Sequence, residues 1–148
     1  KQEDESMGKI SADVKKMLKQ FDHNEKEVML TLGYAYWNGE GINKSKTKAI
    51  EVWTKGSELG DGECSYHLGE LYEKGLIVDM SANKARTFYQ ASASQGYLEG
   101  IYKTGYCFEY GFGVYKDLEK AADYYKKAAR MGSQKAKDAL LRLDISIS

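Results

Sequence analysis

Cys64 and His67 stand three positions apart in a segment of helical spacing, which would turn both toward one face as a pair of metal ligands. Glu70, Glu73 and Glu109 are carboxylates of the kind that serve as general acid and base. Gly39-Glu40-Gly41 and Gly111-Phe112-Gly113 are glycine-flanked turns that resemble phosphate cradles. Each reading weakens against its surroundings. A closed metal site needs two ligands beyond Cys64 and His67, and the chain holds only two cysteines and two histidines. The glycine turns lack a following Gly-Lys-Ser/Thr, and Asp117 would repel an anion. No serine has the histidine and carboxylate context of a nucleophile. Nothing beside the glutamates marks a shaped pocket, so they are taken as solvated. The expectation is no catalytic residue, no metal and no cofactor: not an enzyme.

The whole chain narrows the classes further. Its 148 residues balance 22 Lys+Arg against 22 Asp+Glu, whereas nucleic acids and anionic lipid usually select a basic excess. Apolar residues make up 42% of the chain, with 12 Tyr, 4 Phe and 2 Trp, enough for a well-buried core. No apolar run approaches the ~18 residues of a membrane span, and no signal-peptide pattern opens the chain. It begins at Lys1 rather than Met, as an excised fragment would. Proline is absent beside 15 glycines.

A repeat accounts for the glycines. Gly33, Gly69 and Gly105 are spaced by 36, as are Gly39, Gly75 and Gly111, and Gly60, Gly96 and Gly132. Ala49, Ala85 and Ala121 keep the step, each preceded by a lysine (Lys48, Lys84, Lys120). So do Tyr36, Tyr72 and Phe108, and Trp53, Tyr89 and Tyr125. Each copy holds two helices. In the second copy Cys64, Leu68, Leu71 and Tyr72 share a helical face that stops at Gly75. Ser81 then caps a helix presenting Ala85, Phe88 and Tyr89, as Ser45 and Asp117 do in the other copies.

The repeated columns imply packing roles. Glycine inside a helix costs about 1 kcal/mol against alanine, so Gly33, Gly69 and Gly105 mark a close helix crossing, with Ala49, Ala85 and Ala121 as its small partners. The aromatic columns fill the space between helices. Gly60, Gly96 and Gly132 take the left-handed conformation between copies, with Asn24 in their column. Lys48, Lys84 and Lys120 lie near helix N-termini, where positive charge is unfavourable, and are expected to pack by their stems. Cys64 aligns with Val28, Gly100 and Ala136, a small buried position, Cys107 aligns with Ala35 and Leu71, and His67 aligns with Thr31 and Lys103, a surface one. Ile77 replaces Gly41 and Gly113, which predicts a second loop of different shape.

The fold class is therefore all-α: a right-handed α-solenoid of helix-turn-helix units with a 36-residue period and capping helices at both ends. Residues 1–24 form the N-terminal cap, 25–60, 61–96 and 97–132 the three repeats, and 133–148 the C-terminal cap and tail. Ser11 to Phe21 is a degenerate second helix, Leu141 replaces the crossing glycine, and Ile145 to Ser148 is expected to fray.

The patterns L-G-x-x-Y-x-x-G (Leu68 to Gly75) and K-A-x-x-[FWY]-Y (Lys84 to Tyr89), followed by Gly96, resemble the Sel-one-like repeat family, relatives of the tetratricopeptide repeats. The resemblance implies scaffold or adaptor work and brings no catalytic residues. Some secreted relatives carry a cysteine pair in every repeat. That pattern is missing here, and two unpaired thiols favour a cytoplasmic setting.

By analogy with tetratricopeptide arrays, the first helices line a concave face. Its exposed positions are then Glu27, Leu30, Tyr34, Trp37 and Asn38; Glu63, Tyr66, Glu70, Glu73 and Lys74; and Glu99, Tyr102, Tyr106, Glu109 and Tyr110. Six acids against one lysine, interleaved with one Trp and five Tyr, predict a groove for a peptide or protein with Lys/Arg and apolar anchors. Tyr34, Trp37, Asn38, Tyr66, Glu70, Glu73, Tyr102, Tyr106, Glu109 and Tyr110 are the expected contacts. The alternatives are an RNA-binding helical repeat, which the acid excess opposes, and a regulatory domain of a larger enzyme. The chain is expected to be a monomer or weak homo-oligomer, with no nucleic-acid partner and no membrane insertion.

Overall fold

The structure is a computed structural model and describes residues 9–147. Among these residues it contains helices and turns but no strands. Helix α1 spans Ala12–Asp22, and a 3-10 turn at Lys26–Val28 leads into α2, Met29–Asn38. The others are α3 (Lys46–Glu58), α4 (Gly62–Lys74), α5 (Ala82–Ser94), α6 (Leu98–Tyr110), α7 (Leu118–Arg130) and α8 (Gln134–Arg142). Helices α2–α3, α4–α5 and α6–α7 are the three hairpins, flanked by α1 and α8. Each helix packs on the next in sequence, and the first helices of neighbouring hairpins also touch, α2 with α4 and α4 with α6.

Local chemistry sets the boundaries. Ser45, Ser81 and Asp117 each accept from the backbone N–H three residues on, satisfying a helix-start donor that has no partner within the helix. Ser11, Asp61 and Ser133 do the same for α1, α4 and α8. The first helices end on the left-handed glycines Gly39, Gly75 and Gly111.

The 36-residue columns become a repeated core. Trp53, Tyr89 and Tyr125 are buried, each worth roughly 2–3 kcal/mol. They explain the glycines inside the first helices: a Cβ at Gly33, Gly69 or Gly105 would come within 2.0, 2.7 or 2.8 Å of those rings. The partner at the crossing is thus the aromatic column more than Ala49, Ala85 and Ala121, which lie fully buried beside it. Lys48, Lys84 and Lys120 set their ammonium groups over Tyr36, Tyr72 and Phe108 at 5.4–5.9 Å, so the lysine column packs by cation–π contact.

One expectation needs correction. The second loop keeps the shape of the others: Ile77 takes φ +68, beside +76 at Gly41 and +73 at Gly113. The bonds Leu76 N–H to Leu71 C=O and Ser81 N–H to Tyr72 C=O, present in all three loops, hold that conformation despite the β-branched side chain. In the described part of the tail Ile145 N–H bonds Leu140 C=O and Arg130 donates to Ile147 C=O at 3.1 Å. Ser148 lies outside the described residues, as do residues 1–8 of the proposed N-terminal cap. At the far end Leu141 is 78% exposed, in the column where the other first helices carry the crossing glycine.

Candidate functional site

The two seams between hairpins and the third, between the last hairpin and α8, share a framework and differ in what fills it. In the second repeat the buried Tyr89 hydroxyl donates to Glu73, whose carboxylate also pairs with Lys103 Nζ of the next hairpin at 3.1 Å. In the third repeat Tyr125 donates to Glu109 at 2.7 Å, and Arg142 holds the same carboxylate with both terminal nitrogens. One tyrosine, one glutamate and one cation thus close each of these seams.

The first seam breaks the pattern at every position. Trp37 stands in the column of Glu73 and Glu109, Trp53 in that of Tyr89 and Tyr125, and His67 in that of Lys103. Trp53 donates its indole N–H to Leu30 C=O and packs against Trp37, with centroids 5.6 Å apart, and against His67 at 5.2 Å. An ion bridge has been exchanged for aromatic rings. Between α2 and α4 a cavity of about 170 Å³ remains, lined by Tyr34, Trp37, Trp53, His67, Glu70, Leu71, Lys74 and Leu76.

The polar groups of this cavity are ordered. The Tyr34 hydroxyl hydrogen-bonds His67 Nε2, and His67 Nδ1 faces Glu70 at 3.5 Å. This hydroxyl–imidazole–carboxylate line has the connectivity of a nucleophilic triad, with a phenol as its first member. Burial, then the carboxylates of Glu63 and Glu70, push the Tyr34 phenol above its ordinary range and keep it protonated. The hydrogen bond with His67 holds the Glu70 carboxyl below its usual range against the effect of burial, with Lys74 adding to the depression. The line therefore fixes three side chains across the α2–α4 seam.

One turn toward the start of α4, Tyr66 packs against Tyr97, with centroids 5.4 Å apart. Burial and then Glu70 and Glu99 raise the Tyr66 phenol, and burial and then Glu63 and Glu99 raise Tyr97 to about 12. Each ring thus lies in the field of two acids, with Glu99 common to both.

Of the residues expected from sequence, the structure gathers Tyr34, Trp37 and Glu70 around the cavity and sets Tyr66 beside it. Asn38 is exposed at the end of α2. Tyr102 leans on Tyr125, and Tyr106 on Tyr110, which is exposed. Glu109 is corrected from exposed to buried: at 4% exposure it is spent on Tyr125 and Arg142. Glu73 is likewise spent on Tyr89 and Lys103, so the groove's acid excess shrinks to Glu27, Glu63, Glu70 and Glu99. His67 is not a surface residue but half-buried among Tyr34, Trp53 and Tyr66. Sequence reasoning missed His67, Trp53, Leu71 and Leu76 as cavity walls. The signal was present in the joint departure of Trp37, Trp53 and His67 from their columns.

Cys64 is buried and packs toward Gly56, where an added Cβ would meet its sulfur at 2.5 Å. Burial pushes its thiol well up, and Cys107 to about 12. Among the described residues no helix is long and apolar enough to cross a membrane, and no group of three or more His, Cys, Asp or Glu is placed to hold a metal ion.

The Sel1 repeat family model matches residues 27–61, 62–97 and 98–133. A Sel1 repeat protein from Oxalobacter formigenes is 28% identical, with a TM-score of 0.85 over 89% of this chain and 99% of that one. The Helicobacter pylori cysteine-rich protein B is 25% identical, with a TM-score of 0.67 over 86% of this chain and 96% of that one. The protective antigen c5321 of uropathogenic Escherichia coli shares the fold at 23% identity and a TM-score of 0.80, over 88% of this chain and 28% of that one. Comparison with curated proteins gave no match.

Proposed function

Because the chain belongs to the Sel1 repeat family, whose members are generally non-catalytic scaffolds for protein–protein interaction, we propose that it holds a segment of another polypeptide on its first-helix face, at the α2–α4 seam. The observation that carries this reading is the cavity between Trp37, Leu71 and Leu76, found where the other two seams are closed by ion bridges. A repeat array gains nothing in stability from leaving one seam open. Tyr34, Trp37, Tyr66 and Glu70 make the central contacts, Asn38 borders them, and Tyr102, Tyr106 and Tyr110 extend the face. Aromatic anchors of this kind contribute on the order of 2 kcal/mol each when central to an interface. Glu73 and Glu109 serve from behind, holding Tyr89 and Tyr125. The partner segment carries apolar anchors and Lys/Arg.

The test uses the molecule's own closed seams. The combined variant Trp37→Glu, Trp53→Tyr, His67→Lys gives the first seam the side chains of the second. Selection from a displayed library of random 12-residue peptides should enrich binders on the wild-type chain and not on this variant, with helicity retained. Equal enrichment on both, or none on the wild type, contradicts the proposal.

A further inference from the structure

The seam also fixes which segment it can read, an inference resting on the function just proposed. From the geometry of α4 we infer that the partner is an extended segment with a branched aliphatic or phenyl side chain in the Trp37–Leu71–Leu76 cavity and a Lys or Arg three residues away, facing Glu63 and Glu99.

The two subsites lie along one helix. Glu70 and Leu71 wall the cavity. Glu63 is two turns earlier on α4, about 10 Å along the axis at 1.5 Å per residue. An extended chain covers that distance in about three residues. The cavity selects an apolar group because indole, phenol and leucine side chains make up most of its lining, and because Lys74, which also lines it, repels a second cation. Its aromatic wall already carries a charge: Lys46 Nζ lies 4.4 Å from the Trp37 ring centroid. The other end selects a cation. Glu73, Glu109 and Glu70 have Lys103, Arg142 and Lys74 as cationic partners, whereas among the described residues Glu63 has only His67 Nε2, at 4.0 Å, as an ion-pair contact. Among the described residues, the first-helix acids left without a lysine or arginine partner therefore include Glu63 and Glu99, at the starts of α4 and α6, although the whole chain is neutral.

The experiment is fluorescence polarisation with labelled synthetic peptides in a Ser/Gly background. One set places Lys and Leu three residues apart in both orders, a second places them adjacent, and a third replaces Lys by Ser or by Glu. The protein is the full chain, wild type and the double variant Glu63→Lys, Glu99→Lys, which leaves the cavity walls intact. The inference expects the three-residue spacing to bind at least tenfold tighter than the other peptides. Charge reversal on the protein should remove that advantage for the Lys peptides and leave the Ser peptide unchanged. Equal affinity for the Ser and Lys peptides, or indifference to spacing, overturns the register. If peptides are still lost on the variant with the filled seam, the proposed function stands without it. No binding by any of these peptides or by the random library overturns both.

Discussion

The buried link between Glu109 and Tyr125 gives the sharpest energetic prediction. Glu109 is 4% exposed and accepts the Tyr125 hydroxyl at 2.7 Å, with Arg142 on its far side. Tyr125→Phe removes one hydrogen bond to a charged acceptor, a loss of about 1.5–3 kcal/mol, while Arg142 still satisfies the carboxylate. Glu109→Ala costs more, about 3 kcal/mol, because it leaves the Tyr125 hydroxyl buried without a partner. Arg142 is half-exposed and can turn to water, so its share is at most about 1 kcal/mol. In the double variant the orphaned hydroxyl is gone, and the two losses should fall short of additivity by about 2 kcal/mol. Urea unfolding of the four proteins at pH 7, followed by circular dichroism, measures this directly. A coupling below about 0.5 kcal/mol would refute the claim that the pair acts as one unit.

The same glutamate should make the fold sensitive to acid. Glu109 and Glu70 are held below the ordinary carboxyl value of 4.5, by hydrogen bonds from Arg142 and His67 respectively. Their stabilisation is full above that value and is lost as pH falls through the depressed one. The urea midpoint should therefore drop between pH 5 and pH 2, and by less in Glu109→Gln. Gly69→Ala puts a Cβ 2.7 Å from the Tyr89 ring and should lose about 2 kcal/mol or more by thermal melting, despite alanine's better helix propensity. Gly60→Ala meets nothing within 4 Å and should lose only the roughly 1–2 kcal/mol of its left-handed backbone. Ile77→Gly relieves strain at φ +68 and should be neutral or stabilising by up to about 1 kcal/mol, since Ile77 is 57% exposed and gives up little packing. Gly113→Ala, whose Cβ would sit 2.2 Å from Ala82 O, should lose at least about 2 kcal/mol.

The fold was legible because its instructions are local and recur. Ser45, Ser81 and Asp117 announce helix starts, Gly39, Gly75 and Gly111 announce stops, and Gly33, Gly69 and Gly105 announce a close crossing. The site was only half legible. Reading surface positions from helical phase placed Tyr34, Trp37 and Glu70 on one face, but it could not see that Glu109 meets Tyr125 of its own hairpin, 16 residues on, and Arg142 of α8, 33 residues on. Such contacts depend on how far neighbouring hairpins rotate, which periodicity alone does not fix. Nor does helical phase reveal that His67 leans into the seam against Trp53 and does not stand out from it as a surface residue. Ile77 misled for a related reason: the loop's two backbone hydrogen bonds outweigh a side-chain preference of about 1–2 kcal/mol.

Backbone and indole chemical shifts of the labelled chain, followed by NMR as a selected peptide is added, bear most directly on the idea that the open seam is where this scaffold holds its partner. The changes should centre on Tyr34, the Trp37 side chain, His67, Glu70 and Lys74, and fade along α6. Changes centred instead on the loop edge around Tyr115 and Leu118, with the α2–α4 seam silent, would contradict it.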